Sequence, residues 1–229
     1  MWCLGKITAA FLARMEFILR LYALPYDPEY PVVCFDERPC QLLGSPNSET
    51  PMRSGRCARQ DSEYIRKGTC CVLASIEPLT GKRLVHVKRR RRNREFTAFM
   101  LQLAQQYPQA KKIKVVLDNL STHTYAALYQ NLPAEQAEEL AQQIEFVYTP
   151  KKASWLNMIE IEFSALSRQC LNRRIDSLNE HVHEVFAFMK DRHERSVKIN
   201  WQFTVDQARE KLNSGYVRVN EENAKYTKT

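Results

Sequence analysis

No stretch of this chain approaches the roughly 18 uninterrupted apolar residues that mark a membrane-spanning helix. The apolar N-terminal segment is broken by Lys6, Arg14, Glu16 and Arg20, and it lacks the layout of a secretory signal. No Cys-x-x-Cys pair occurs. The cysteines are odd in number, seven: Cys3, Cys34, Cys40, Cys57, Cys70, Cys71 and Cys170. That pattern argues against a disulfide framework or a zinc ribbon and for reduced thiols. His181, His183 and Glu184 lack His-Glu-x-x-His spacing, and positions i and i+2 of a helix diverge, so they read as surface residues rather than a zinc site. There is no internal repeat and no long linker. A soluble, cytosolic protein with no membrane partner is expected.

Acid is missing from one more place. Lys82, Arg83, Lys88, Arg89, Arg90, Arg91, Arg92 and Arg94 follow one another with no Asp or Glu between them. The whole chain has a net charge of +8, from 34 basic and 26 acidic residues. This one segment therefore concentrates a charge equal to the total. Four consecutive arginines repel one another unless an anion lies nearby, and such a field suits the phosphate backbone of DNA. Lys88 to Arg92, Arg94, Lys151 and Lys152 are the candidate DNA contacts.

The 229 residues are 44% hydrophobic, enough for a large packed domain. Apolar spacing predicts an amphipathic helix over 9–23 and strands over 31–36, 68–76, 83–87, 112–118 and 144–148. It predicts further helices over 93–107, 124–130, 134–143, 156–171 and 178–192, with a short one near Asp206. Residues 38–62, rich in Pro, Gly and Ser, read as an extended loop, and the last ten residues as frayed. Three antiparallel strands, a helix, a strand, helices, a strand and a helix follow the order of a ribonuclease-H-like fold: α/β, a mixed five-stranded sheet flanked by helices.

Three acids stand where apolar runs end: Asp36 after Pro31-Val-Val-Cys-Phe, Asp118 after Ile113-Lys-Val-Val-Leu, and Glu160 after Ser154-Trp-Leu-Asn-Met-Ile. Asp, Asp and Glu on rigid elements can hold two divalent metal ions, the equipment for breaking phosphodiester bonds. Hard oxygen donors suit Mg²⁺ or Mn²⁺. Glu162 lies on another side of its helix. Glu37 is expected to pair with Arg38 or Lys67. Asn157 is expected to cap the helix that carries Glu160, with Trp155 packing beside it.

The segments PVVCFDE (31–37), DSEYIRKGT (61–69), VVLDNLSTH (116–123), YTPKKASWLNMIEIEFSALSRQC (148–170) and INWQFTVDQAREKL (199–212) resemble a DDE transposase of the mariner-like superfamily, in its bacterial insertion-sequence branch. The resemblance runs from about residue 1 to about residue 216, and its SWLNxxE segment is the most specific part. It implies that Asp36, Asp118 and Glu160 are the catalytic acids and hold two Mg²⁺ or Mn²⁺ ions. Asn119, His123 and Asn157 would support them. The reaction implied is cleavage of transposon ends followed by strand transfer on double-stranded DNA, by a homo-oligomer when active.

The sequence departs from relatives at Lys152 and Ala153, where they often carry His and Gly, and at Ser121, where they often carry Asn. Relatives also begin with helix-turn-helix domains, whereas this chain begins near Trp2 and Cys3 as their following linker does. The expected organisation is a linker and helix over 1–30, a catalytic domain over 31–195 and a C-terminal extension over 196–229. Two other readings stay open: a truncated, non-catalytic regulator of a full-length transposase, and another ribonuclease-H-like nuclease.

Overall fold

The structure, a computed structural model, describes residues 6–47, 52–57 and 62–226. Its centre is one five-stranded sheet built from β1 (Val32–Gly44), β2 (Ile65–Glu77), β3 (Lys82–Lys88), β4 (Ile113–Leu117) and β5 (Ile144–Tyr148), in the order β3-β2-β1-β4-β5. The first three strands pair antiparallel, while β1 with β4 and β4 with β5 pair parallel. This is the ribonuclease-H-like order expected.

Side chains alternate along a strand, so each strand serves two faces. Cys34, Val72, Ala74, Ile76, Val85, Val116 and Val147 point to one face. Against it pack α1 (Ala9–Tyr22), α5 (Ile159–Gln169), α6 (Leu178–Glu194), α7 (Val205–Lys211) and α8 (Asn213–Val219). Val33, Phe35, Leu73, Leu84, Val115, Leu117 and Phe146 point to the other, covered by α2 (Asn93–Gln105), α3 (Tyr125–Asn131) and α4 (Ala134–Gln143). Helix α1 starts where the Thr8 hydroxyl accepts the Phe11 N–H at 3.2 Å, a side-chain cap, and buries Met15 and Ile18 completely. Among the described residues no helix is long and apolar enough to cross a membrane.

The strand boundaries correct the expectation in one informative way. Strand β1 does not stop at Asp36 but continues to Gly44, and β2 begins at Ile65, three residues early. The parallel partner β4 meets β1 only over Val32–Cys34. Beyond that point β2 is the one strand paired with β1, and the other edge of β1 carries no strand partner, only an isolated bond from the Leu43 N–H to the Ile175 carbonyl at 2.9 Å. A free edge tolerates Pro39, which has no N–H to donate. Of the predicted loop, 48–51 and 58–61 lie outside the described residues, and 53–56 form a small turn closed by an Arg53–Arg56 bridge. The predicted helix over 156–171 divides into a 3-10 turn (Ser154–Leu156) and α5. Helix α8 and the 3-10 turn Glu221–Tyr226 were not anticipated in the polar C-terminal segment, where short helices gain their stability from packing rather than from pattern.

One buried ionic cluster fixes α5 against the sheet. The Glu162 carboxylate is fully buried and accepts from Arg83 Nε at 2.9 Å, Arg83 Nη2 at 2.6 Å and Arg192 Nε at 2.7 Å. Arg83 also donates to the carbonyls of Gly81, Arg192 and Val197. The cluster thus ties β3, α5, α6 and the segment after α6. Gly81 is required here, because its φ is +80° and a Cβ would meet the Ser196 carbonyl carbon at 2.8 Å. Removing one partner of such a cluster strands the others. Glu162→Ala is therefore expected to cost about 3–5 kcal/mol, read as a lowered urea midpoint. Glu160→Ala, on the side of the same helix away from this cluster, should not lower that midpoint.

Candidate active site

The alternation that builds the core also sorts the acids. Asp36 follows Cys34 by two residues and Asp118 follows Val116 by two, so both carboxylates share the face that α5 covers. Asp118 stands one residue past the end of β4, where its Oδ1 accepts the Leu120 N–H at 3.0 Å and turns the chain. Asp36 stands where β1 has lost its β4 neighbour, so no adjacent strand covers that side. Glu160 occupies the first turn of α5. Asn157 places that turn. Its Nδ2 donates to the Phe35 carbonyl at 2.8 Å, its Oδ1 accepts the Ile159 N–H at 3.4 Å, and its carbonyl accepts the Glu160 N–H at 3.1 Å. The expected capping role is thus present, and a tether to the strand beside Asp36 is added to it.

The three acids feel one another. Burial raises Asp36 to about 7, and the negative charges of Asp118 and Glu160 add to the rise against an opposing N–H bond from Glu37. Burial also raises Glu160; Arg38 opposes the shift and Asp118 reinforces it. Asp118 goes the other way, held low first by its hydrogen bond with His123. Like charges gathered on a half-buried face are costly unless a cation neutralises them. Carboxylate oxygens are the donors that a hard divalent cation prefers. The donor set therefore fits such an ion. Among the described residues no three His, Cys, Asp or Glu side chains already close into a metal cage.

On the opposite face of β1, Glu37 was missed by sequence reasoning. It pairs with neither Arg38 nor Lys67. Its side chain is fully buried, with Oε1 3.5 Å from His123 Nε2 and Oε2 3.8 Å from Arg91 Nη1. The other ring nitrogen of His123, Nδ1, lies 2.7 Å from Asp118 Oδ1. Burial alone would lower His123, but Asp118 and Glu37 outweigh it and raise it to about 9. The ring is stacked on Phe96 and meets Phe35 edge-on. Arg91, Glu37, His123 and Asp118 form a continuous ionic row that ends at the acid. The alternation of β1 was the available signal, since it puts Glu37 on the α2 side, away from Lys67.

The remaining predicted residues divide. Lys88 to Arg92 and Arg94 are exposed, running from the end of β3 into the start of α2. Lys82 and Arg83, from the same basic run, are instead structural: the Lys82 ammonium lies over the Tyr107 ring and Arg83 is the centre of the buried cluster. Lys151 and Lys152 are exposed and line an open groove of about 400 Å³ with Lys6, Thr8 and Arg14. Asn119 ties elements together, donating to the Thr149 carbonyl at 2.6 Å and accepting from Arg14 at 3.3 Å. Trp155 packs edge-on against Phe203. His181 corrects the surface-helix reading, for it is 3% exposed, whereas His183 is exposed.

The raised Asp36 has a thermodynamic consequence without metal. A carboxyl whose folded pKa is about 7 against an ordinary 3.8 holds its proton more tightly when folded. That contribution is fully present below about pH 3.8 and is lost as pH rises through about 7. Asp36→Asn should therefore stabilise the metal-free protein at pH 8 by roughly 2–4 kcal/mol. Melting curves in chelator across this range should converge at acid pH and separate at alkaline pH. Parallel curves would show that Asp36 is not crowded.

A model of a family described as DDE superfamily endonuclease matches residues 31–181. No curated protein sequence matches the chain. Among solved structures, the Mos1 mariner paired-end complex with Mn is similar at 13% identity and a TM-score of 0.55, over 100% of this chain and 67% of that one. The corresponding complex with Mg is similar at 12% identity and 0.55, over 100% and 66%. The Mos1 strand transfer complex is similar at 12% and 0.54, over 99% and 63%. This chain thus spans about two thirds of the length of those proteins, and the likeness extends the shared fold beyond the matched segment. Because the family model covers well over half of the sequence, all three acids included, the chain belongs to the DDE superfamily endonucleases.

Proposed function

We propose that this chain is the catalytic domain of a mariner-like DNA transposase, which cuts the ends of an element and joins them to target DNA. The observation that carries the reading is the convergence of Asp36, Asp118 and Glu160 on the α5 face, close enough to perturb one another's ionisation. The Mos1 complexes, determined with Mn and with Mg, support the choice of a divalent ion. Asp36, Asp118 and Glu160 would hold two Mg²⁺ or Mn²⁺ ions, which supply activation of water or a DNA 3′-hydroxyl and stabilisation of the leaving oxygen.

The chain's own residues do the rest. His123, protonated at neutral pH, keeps Asp118 ionised and oriented. Asn157 and the buried Glu162 cluster hold the first turn of α5 in register with β1. Lys88 to Arg92, Arg94, Lys151 and Lys152 neutralise the phosphate backbone of double-stranded DNA without reading its bases. On this reading the protein acts in the bacterial cytosol as an insertion-sequence product and as a homo-oligomer.

Mn²⁺ should raise the melting temperature of the wild-type chain by mass action and leave Asp118→Asn unmoved. The same variant should lose metal-dependent nicking of duplex DNA by at least about 100-fold, since an amide is a poor ligand for a hard ion. A variant that cuts as wild type does would remove Asp118 from the site. Neutralising Arg89, Arg90 and Arg92 together should weaken duplex binding and shrink the slope of log affinity against log salt by about 2–3. An unchanged slope would put the DNA path elsewhere.

A further inference from the structure

On the face of β1 that carries Asp36, the next residues to point the same way are Arg38 and Cys40. Cys40 stands directly opposite Cys70 in the β1–β2 ladder. Residues directly opposite in an antiparallel pair have Cα atoms about 4.5–5.5 Å apart and side chains on the same face. That spacing falls within the roughly 4.4–6.8 Å that a disulfide spans. Both cysteines are reduced, and the two thiols lie within hydrogen-bonding reach of each other. Cys71, the next residue, points into the opposite core and takes no part.

The surroundings distinguish this pair from inert core thiols. Cys40 is half-buried and lines a surface cavity of about 210 Å³ together with Arg38, Arg173 and His181. His181 is buried, and neither ring nitrogen has a hydrogen-bond partner of good geometry. The ring nevertheless lies near enough to Cys40 to favour its thiolate. The Cys70 thiol, His181 and Arg38 together bring Cys40 down to about 5, against the effect of burial. Cys70 is pushed well up, first by its contact with Cys40, with Arg89 opposing. The two thiols share an environment that favours a single thiolate between them, and Cys40, which lines the surface cavity while Cys70 is buried, is the member that a dissolved disulfide can reach. That is the asymmetry of an attacking and a resolving cysteine.

We propose that Cys40 and Cys70 form a thiol–disulfide exchange site, separate from the three acids, whose substrate is a low-molecular-weight disulfide. The Cys40 thiolate attacks one sulfur of the small disulfide, whose S–S bond breaks and releases one small thiolate. Cys70, losing its proton to solvent through the surface cavity, then attacks the Cys40 sulfur of the mixed disulfide. The Cys40–Cys70 bond forms and the second small thiolate leaves, and solvent protons convert the two released thiolates to thiols. Two protein sulfurs are oxidised and the small disulfide is reduced to two thiols. The new bond joins β1 to β2 in the part of β1 that has no β4 neighbour.

The test uses the full chain and glutathione disulfide, with chelator present. Free thiols are then blocked and the peptides mapped by mass spectrometry. The expected product is a Cys40–Cys70 linked peptide, reversed by excess dithiothreitol. Cys70→Ser should stop at glutathione attached to Cys40. Modification of the exposed Cys57 with Cys40 and Cys70 left free would overturn the proposal. A second readout needs no variant. Iodoacetamide at pH 6 should alkylate Cys40 roughly tenfold faster than Cys57, because only a depressed thiol is ionised there. Equal or slower labelling of Cys40 would remove its role as the attacking thiolate.

Discussion

Strand β1 divides its residues between two environments, and the rest of the site follows from that division. Cys34, Asp36, Arg38 and Cys40 face α5 and α6. Val33, Phe35 and Glu37 face α2. A shift of register by one residue would exchange the two sets and bury Asp36 among phenylalanines. The register is secured on both sides. Phe35 is locked between Phe96 and Phe99, and the Phe35 carbonyl receives the Asn157 amide. The same hydrogen bond that fixes the strand thus fixes the helix carrying the third acid.

Four carboxylates on β1, β4 and α5 meet different fates, and the neighbours decide each one. Glu162 is buried deepest but faces two guanidinium groups, so its charge is compensated and its role is mechanical. Asp118 is partly exposed and bonded to a protonated imidazole, so it stays ionised. Asp36 is more buried and receives only one backbone N–H, and burial dominates. Glu160 has Arg38 nearby, but burial still wins. Two of the three site acids are therefore held in an electrostatic deficit that one or two divalent cations would relieve. Glu162 instead has two guanidinium partners on its carboxylate, which separates it from Glu160 although they share a helix.

Much of this was legible in the sequence. The apolar runs before Asp36 and Asp118, and the long Ser-Trp-Leu-Asn segment before Glu160, located the acids and the sheet order because buried strands are nearly all apolar. What was not legible depended on partners distant in sequence. Glu37 and His123 are brought together by pairing between β1 and β4, and no local pattern announces it. Arg83 looked like one more member of a basic run, yet its partner Glu162 lies on α5. The length of β1 was also hidden, since Pro39 reads as a breaker unless the strand is known to have a free edge there. His181 looked exposed because its helix is polar overall, whereas the cavity beside Cys40 is closed only by tertiary packing.

The basic segment shows why a charge run should be resolved residue by residue. Lys82 and Arg83 are consumed by the fold, and what remains exposed begins at Lys88. Of that remainder, Arg91 has a second attachment, the buried Glu37 carboxylate at 3.8 Å. At this distance, with one partner half exposed, the pair contributes little to stability. Its value is geometric. The exposed side chains of Arg89, Arg90 and Arg92 stand beside a guanidinium that already belongs to the row leading through Glu37 and His123 to Asp118. The exposed basic segment and the ionised Asp118 are therefore joined by contiguous charged groups, Arg91, Glu37 and His123.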